Sequence, residues 1–206
     1  MQDLNSITTQ IAQMSVITFK MLDLTHKAFL EHDTDLISSA LEEEKKINDL
    51  EKEIRTALIE LGRSYARKED RAKTIIYADV VGDLELIGDY CKDILERVQI
   101  KIDEKLLFSE DSVKEYEELY HKTEQALKEV TTALEAGDTR LIKAVLKHEE
   151  HIDTLVDEYR RHHNQRLIDG VCNPLECNMF LNMLDFTAAI YYHTKKIARN
   201  LLKIKK

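Results

Sequence analysis

The chain has 206 residues, of which 43% are hydrophobic and 33% charged, and it carries a formal net charge of −9 with only five Gly and one Pro. A composition rich in helix formers and poor in turn residues predicts a folded, all-α protein with short loops. The acidic balance, without a Lys/Arg stripe and interleaved aromatic residues, argues against direct binding of nucleic acid.

Apolar residues recur at helical spacing through the first half and predict three long helices. The first is expected over roughly residues 3–31 and ends at the polar segment EHDTD. The second begins after Asp33 or Thr34, either of which can cap a helix, and Gly62 is expected to end it at about residue 61. The third is expected from about residue 67 to residue 103.

The second half repeats this order. DTDLISSALEEEKKINDLEKEI (33–54) and DTRLIKAVLKHEEHIDTLVDEY (138–159) share Asp-Thr-x-Leu-Ile, then Leu, Glu, Ile, Leu and Glu, at a constant offset of 105. Helices are therefore expected over 110–136, 139–168 and 174–203. The predicted architecture is two tandem three-helix bundles with six long helices, one bundle in residues 1–105 and the other in 106–206.

The third helix carries acidic residues close to its apolar face. Three pairs of its carboxylates stand four residues apart, which places the like charges of each pair on the same face at a small cost in stability: Asp79 with Asp83, Glu85 with Asp89, and Asp89 with Asp93. Leu84, Ile87 and Leu95 flank them, so the acids are expected at the edge of the helix seam. Facing carboxylates on neighbouring helices are one way in which bundles build oxygen-rich cation sites. A solvated acidic face is the other interpretation.

Glycines and cysteines add two expectations. Gly82 and Gly88 lie inside the third helix, where a glycine is expected to let a neighbour approach the backbone closely. The three cysteines, Cys91, Cys172 and Cys177, form no CxxC pair, so no closed disulfide framework is expected and a reducing cytoplasm is the natural setting. Neither a secretory signal nor a long apolar span is visible.

Three stretches carry a resemblance to a known family. DLELIGDYCKDI resembles the Asp-Leu-Glu-Arg-Ile-Gly-Asp signature of PhoU-family phosphate-uptake regulators, and EKKINDLEKEI resembles their second-helix pattern. NQRLIDGVCNPLECNMFLNML is similar to the run between the last two helices of PhoU-like cytoplasmic domains attached to bacterial sodium/phosphate cotransporters, which are the closer likeness. The resemblance implies two copies of a three-helix bundle and a regulator whose partner is a phosphate transporter or a sensor kinase.

The resemblance also implies a metal site, for a divalent metal or iron, built from acidic pairs on two helices of each repeat. In the first repeat the matching positions are Glu44, Asn48, Glu85 and Asp89, with Asp93 one turn further on; Asn48 replaces an expected Asp, which removes a charge. In the second repeat only Glu149 and Asp153 remain, because Ala188, Tyr192 and Lys196 stand at the third-helix positions. There His148, His151 and His193 could substitute as ligands, or the segment could be an exposed charged face.

The functional prediction is a cytoplasmic regulator of phosphate uptake that meets the inner face of the membrane through a transporter, with a homodimer left open. No Gly-rich phosphate loop, Gly-x-Ser-x-Gly elbow or HExxH helix is present, so an enzyme is not indicated. Two alternatives remain open. One is a metal-carboxylate bundle that acts as a metal store or di-metal enzyme, and the other is a bare helical interaction module.

Overall fold

The computed structural model describes residues 3–147, 151–172 and 174–204, and within these ranges it is helical throughout apart from short connections. The predicted all-α class is confirmed. The described part of the chain contains the helices α1 (Leu4–Glu31), α2 (Thr34–Ser64), α3 (Lys68–Asp103), α4 (Glu110–Ala136), α5 (Thr139–Lys147), α6 (Ile152–Ile168) and α7 (Pro174–Ile204).

Equivalent caps begin the helices of the two halves. Asp33 Oδ1 accepts a hydrogen bond from the backbone N–H of Asp35 at 2.8 Å, and Asp138 Oδ1 accepts one from that of Arg140 at 2.8 Å. Asp3 and Ser109 cap α1 and α4 by accepting from the N–H groups three residues on, those of Ser6 and Ser112. Each side-chain oxygen satisfies an N–H that has no partner within the helix, which explains why the helices begin at these residues.

The first and fourth helices also end alike. Both stop at a residue in the left-handed conformation, His32 with φ 55° and Gly137 with φ 61°, whose backbone N–H returns to Ala28 and Ala133 respectively. Glycine adopts this conformation without steric cost, whereas His32 does not have that freedom. The repeat seen in the sequence is therefore present in the caps of the structure.

The helices form two bundles that lie side by side. Helices α1, α2 and α3 pack together, as do α4, α5, α6 and α7, and the bundles meet where α1 packs on α4 and α3 packs on α7. The tandem three-helix architecture is confirmed, and the boundary predicted between residues 105 and 106 falls in the α3–α4 connection, where it stays a prediction. One continuous apolar core fills both bundles.

Polar contacts tie the bundles together across this junction. Asp83 on α3, which is 1% exposed, lies 2.8 Å from both His193 Nδ1 and Lys196 Nζ on α7. On the other side, the rings of His26 on α1 and Tyr120 on α4 stack with centroids 3.6 Å apart. Burial is the main cause that lowers the pKa of His26 to about 4, and the neighbouring His121 adds to it.

Two predicted helix limits are wrong. Gly62 does not end α2, which continues to Ser64, because Gly62 keeps a helical backbone and packs beside Thr74, whose Oγ1 would lie 2.8 Å from an added Cβ. The single helix expected over 139–168 is divided into α5 and α6, since His151 lies outside both with ψ 64°. Neither a Gly nor a Pro marks this break, so the sequence carries no signal for it.

The cysteines differ from the sequence expectation. Cys172 and Cys177 form a disulfide across the α6–α7 turn, with Cα atoms 6.3 Å apart, whereas Cys91 is free and buried. A pair five residues apart was not predicted, because it lacks the CxxC spacing and leaves a third cysteine over. None of the helices in the described residues is long and apolar enough to cross a membrane.

Candidate functional site

Helices α2 and α3 lie antiparallel and bring their acidic residues together. Close packing fixes their register at Gly88, where an added Cβ would lie 3.3 Å from Ile47 Cδ1, and this confirms the close approach expected at that glycine. The polar residues along this contact are here called the acidic seam, and they are Glu44, Asn48, Glu51, Glu85, Asp89 and Asp93. Leu84, Ile87 and Leu95 are buried beside them, so the acids do lie at the edge of the apolar core.

One end of the acidic seam is neutralised by its own neighbours. Glu44 is only 8% exposed, and its Oε1 accepts a hydrogen bond from Asn48 Nδ2 at 2.9 Å. Lys92 Nζ on α3 lies 3.4 Å from the same oxygen. Because Glu44 has both an amide donor and an ammonium group beside it, its negative charge is already compensated.

At the other end of the acidic seam, acidic residues outnumber the one cation that opposes them, Arg55. Burial raises the pKa of Glu85, and the carboxylate of Asp89 one turn away raises it further, with a contribution from Glu51 on α2. Arg55 opposes this rise, but its Nε also pairs with Glu51. Asp93, which lies beside Lys92 towards the Glu44 end, also has a raised pKa, by burial first and then by Glu96 and Asp89, and Arg97 and Lys92 oppose this rise. Raised pKa values here mean that these carboxyl groups crowd negative charge into partly buried positions.

The donor set of the acidic seam fits a hard or borderline cation, because it offers carboxylate and amide oxygens from two helices. In the part of the chain that the structure describes, no three of its carboxylates bring their oxygens within 4.8 Å of one another. Glu85, Asp89 and Glu51 would therefore need side-chain rotation to share one ion. The excess negative charge at this end supplies a physical reason for a cation to be held there.

Comparison with known proteins identifies the segment that holds the acidic seam. Residues 11–98 match the family model described as the PhoU domain. Residues 11–98 of this chain therefore resemble a PhoU domain. The resemblance drawn from the sequence is thus confirmed, and all six acidic-seam residues lie inside the matched range. Among curated proteins, none matches this sequence significantly.

Solved structures extend the likeness in fold to nearly the whole chain. PhoU from Pseudomonas aeruginosa superposes with a TM-score of 0.90 at 18% identity, covering 98% of this chain and 96% of that one. The phosphate transport system regulatory protein PhoU from Streptococcus pneumoniae gives 0.85 at 13% identity, covering 98% and 95%. A putative PhoU-like phosphate regulatory protein from Shewanella oneidensis gives 0.67 at 14% identity, covering 97% and 95%. The whole chain therefore has the PhoU fold.

The second repeat lies outside the matched PhoU domain range, and no acidic seam is present among its described residues. Asp153 is exposed on α6, as is His151 before it, while Glu149 and His148 lie outside the described residues. His193, one of the alternative ligands, is instead paired with Asp83 of the first repeat. Lys196 is paired with the same carboxylate. His193 and Lys196 of α7 therefore contribute to the junction between the bundles.

Two features of the site were not predicted from the sequence. Glu51 stands two helical turns after Glu44 on the same face of α2, and this spacing could have placed it in the acidic seam. The second feature is a group of side chains at the α6–α7 turn, His163, Cys172 and Cys177, whose ligand atoms lie within 4.8 Å of one another. No standard motif spacing marks this group, because the histidine and the cysteines come from different elements.

A cavity of about 860 Å³ lies at the opposite end of the molecule from the α6–α7 turn. Its walls come mainly from the first half of α1 and the ends of α4 and α7, and Leu50 of α2, Tyr77 of α3 and Ile142 of α5 complete them. The lining is largely apolar, and the carboxylates of the acidic seam do not reach it. The acidic seam and the cavity are therefore separate features.

Proposed function

We propose that this chain regulates phosphate uptake, by acting on a phosphate transporter or on that transporter's signalling partner, and that it is not an enzyme. The observation that carries the proposal is the coincidence of a match to the PhoU domain over residues 11–98 with a PhoU fold over nearly the whole chain. The solved structure from Streptococcus pneumoniae is described as a regulatory protein of a phosphate transport system. The proposal transfers that role to this chain.

The same proposal states where the chain works and what each of its halves does. The chain works in the cytoplasm, at the inner face of the membrane, through contact with a transporter; the cotransporter-attached PhoU-like domains are the likeness that favours this place. Residues 1–105 and 106–206 act as the two halves of one PhoU unit. The first half carries the acidic seam, and the second half supports it through α7. A homodimer is compatible with this arrangement.

The primary experiment is radiolabelled phosphate uptake in cells from which the coding region has been deleted, at low and high external phosphate. We expect the deletion to change uptake or to abolish its shut-off at high phosphate, and the chain supplied in trans to restore it. Unchanged uptake under both conditions would contradict the regulatory proposal. That result would mean that this chain shares the PhoU fold but not the regulatory role of the proteins it resembles.

A metal at the acidic seam is the second part of the proposal. The residues that would hold a divalent metal or iron are Glu44, Asn48, Glu85, Asp89 and Asp93, and Glu51 joins them on α2. A bound cation would neutralise the charge that crowds Glu85 and Asp89, and it would join α2 to α3. The raised pKa values of Glu85 and Asp93 support this part of the proposal.

Elemental analysis of the purified protein tests the metal. We expect at most one tightly held ion per chain, and we expect Glu85→Ala with Asp89→Ala to remove it. Asp153→Ala is the matched control, because it neutralises an exposed acid of the second repeat. Metal retained in the double variant would remove these two residues from the site.

The remaining alternatives make different predictions. A metal store or di-metal enzyme requires two or more metals per chain and a complete set of inward ligands. A bare interaction module requires no metal, and it predicts little effect when Glu85 and Asp89 are neutralised. The elemental analysis and the uptake assay together separate these alternatives from the regulator.

A further inference from the structure

The α6–α7 turn assembles nitrogen and sulfur ligands away from the acidic seam. His163 comes from the last turns of α6, Cys172 from the connection and Cys177 from the first turn of α7. Their ligand atoms lie within 4.8 Å of one another, and this is the one such group of three or more His, Cys, Asp or Glu side chains found among the described residues. His163 and Cys177 are buried, and Cys172 is partly exposed.

His163 is held rigidly and has a ring nitrogen to spare. Its ring stacks on Phe180 with centroids 4.5 Å apart, and Arg166 Nη2 lies 3.4 Å from its Nδ1. The imidazole is 1% exposed, and Nε2 makes no well-formed hydrogen bond in the described part of the chain, although the backbone of Cys177 lies beside the ring. A buried nitrogen that lacks a well-formed hydrogen bond costs free energy, and a ligand bound there would recover part of that cost.

We propose that the reduced α6–α7 turn binds one zinc ion through the imidazole of His163 and the thiolates of Cys172 and Cys177. Sulfur and imidazole nitrogen are the ligands that zinc prefers in proteins, and three protein ligands leave the fourth position to water. Binding converts two thiols to thiolates, so two protons are released for each ion bound. Arg166, beside His163, is itself paired with the carboxylate of Glu115 and so adds no unpaired positive charge to repel the ion.

The disulfide and the zinc site are alternative states of the same two sulfur atoms. A small-molecule thiol opens the disulfide, and two thiol molecules give two electrons and two protons as they form their own disulfide. The protein then holds two free thiols, which can bind zinc. While the Cys172–Cys177 bond is present, these thiolates do not exist and the proposed site is closed. Zinc binding at this turn thus depends on its redox state.

The proposed site differs chemically from the acidic seam and does not rest on the proposed function. The acidic seam offers oxygen ligands on α2 and α3, whereas the turn offers nitrogen and sulfur on α6 and α7. A cation can therefore occupy either place without the other. All tests are best made in a Glu85→Ala, Asp89→Ala background, which removes the contribution of the acidic seam.

The test is a zinc titration of the full chain, reduced under anaerobic conditions, against a chromophoric chelator. We expect one zinc per chain in the reduced protein and none after oxidation to the disulfide. Cys172→Ser, Cys177→Ser and His163→Gln should each weaken binding tenfold or more, while Cys91→Ser, which changes the free buried cysteine, should leave it unchanged. Failure of the reduced protein to compete with the chelator would overturn the proposal, as would full binding by the Cys172→Ser variant.

Cobalt substitution gives a second readout that identifies the ligands. Co²⁺ bound by thiolates shows a charge-transfer band in the near ultraviolet, which we expect in the reduced protein and expect to shrink when either cysteine is replaced. Cobalt bound without this band would also overturn the proposal. Cys172 is partly exposed, so Cys172→Ser is the variant least disturbing to the core, and circular dichroism checks that each variant is folded.

Discussion

The third helices of the two repeats, α3 and α7, occupy equivalent places but use different chemistry. On α3 the carboxylates point to two sides: Asp83 lies against α7, while Glu85 and Asp89 face α2. On α7 the positions that match Glu85 and Asp89 hold Ala188 and Tyr192, and its polar residues near the junction are His193 and Lys196. The first repeat therefore keeps an acidic seam, and the second supplies His193 and Lys196, which pair with Asp83 across the junction.

This comparison shows that the position of each acidic residue around the axis of α3 decides which helix it faces. Residues two apart on an α-helix differ by roughly 200° around its axis, so Asp83 and Glu85 lie on opposite sides although they are almost adjacent in sequence. Asp83 is neutralised by its partners, whereas Glu85 has a raised pKa because burial and Asp89 disfavour its charge. The acidic residues of α3 therefore fall into two sets. Asp83 belongs to a structural contact with α7, whereas Glu85 and Asp89 are candidate functional residues.

The largest effect is expected when the ion pair across the junction is broken. Asp83→Ala leaves the ammonium group of Lys196 and the imidazole of His193 without their buried partner and should lower the free energy of unfolding by about 3 kcal/mol. Lys196 is partly exposed and can regain water, which keeps the loss at the low end for a buried pair. Urea denaturation measures it. Asp79→Asn, an exposed acid one turn earlier, is the control and should change stability by less than about 0.5 kcal/mol.

The other junction contact should make stability depend on pH. The pKa of His26 is lowered to about 4 in the folded protein from 6.5, so below pH 6.5 the unfolded chain takes up a proton that the folded chain refuses. The stabilisation is complete above pH 6.5 and is lost as the pH falls towards 4, by up to about 3 kcal/mol.

Urea denaturation at a series of pH values measures this dependence. His26→Phe retains a ring to stack on Tyr120 and should show a shallower loss of stability between pH 6.5 and 4. Carboxylates titrate in both proteins, so the difference between the two curves isolates His26. Parallel curves would contradict the assignment.

Removal of the equivalent helix caps should lower the stability of the protein by similar amounts in the two repeats. Asp33→Ala and Asp138→Ala each remove an oxygen that accepts a backbone N–H, and each should lower the free energy of unfolding by about 1 kcal/mol. Thermal denaturation compares them. Asparagine at either position keeps an acceptor and should retain most of the stability. A loss at one cap and none at the other would show that the repeats are equivalent in geometry but not in energy.

The smallest effect is expected in the acidic seam itself. In protein treated with a chelator, Glu85→Gln relieves repulsion with Asp89 and should raise the free energy of unfolding by about 0.5 kcal/mol. Asp153→Asn, the exposed acid of the second repeat, should change nothing measurable. If Glu85→Gln destabilises the chelated protein, then Glu85 is a structural partner of Arg55 and not a crowded acid.

Much of the fold could be predicted because the sequence signals are local. Asp33 and Gly137 mark helix limits by their own chemistry, and the repeat of Asp-Thr-x-Leu-Ile placed the second bundle. The end of α2 predicted at Gly62 was wrong, because a glycine can either end a helix or allow a neighbouring side chain to approach. Only the contact with Thr74 shows that Gly62 does the second. The break at His151 follows from no local residue preference.

Less of the candidate site could be predicted, because it depends on contacts between helices. The sequence places Glu85 and Asp89 on one face, but the burial of Glu44 and its pairing with Lys92 follow from the register of α2 against α3. The pairing of Asp83 with α7 depends on how the two bundles meet. The approach of Cys172 to Cys177 depends on the path of the α6–α7 turn.

The most direct test of the account asks whether the acidic seam of the first repeat carries the regulation. Cells deleted for the coding region are supplied with the wild-type chain, with Glu85→Gln and Asp89→Asn together, or with Asp153→Asn, and phosphate uptake is measured at high external phosphate. We predict that the wild-type chain and Asp153→Asn restore the shut-off of uptake, and that the double variant does not although it is folded and equally abundant. Full restoration by the double variant would contradict the account.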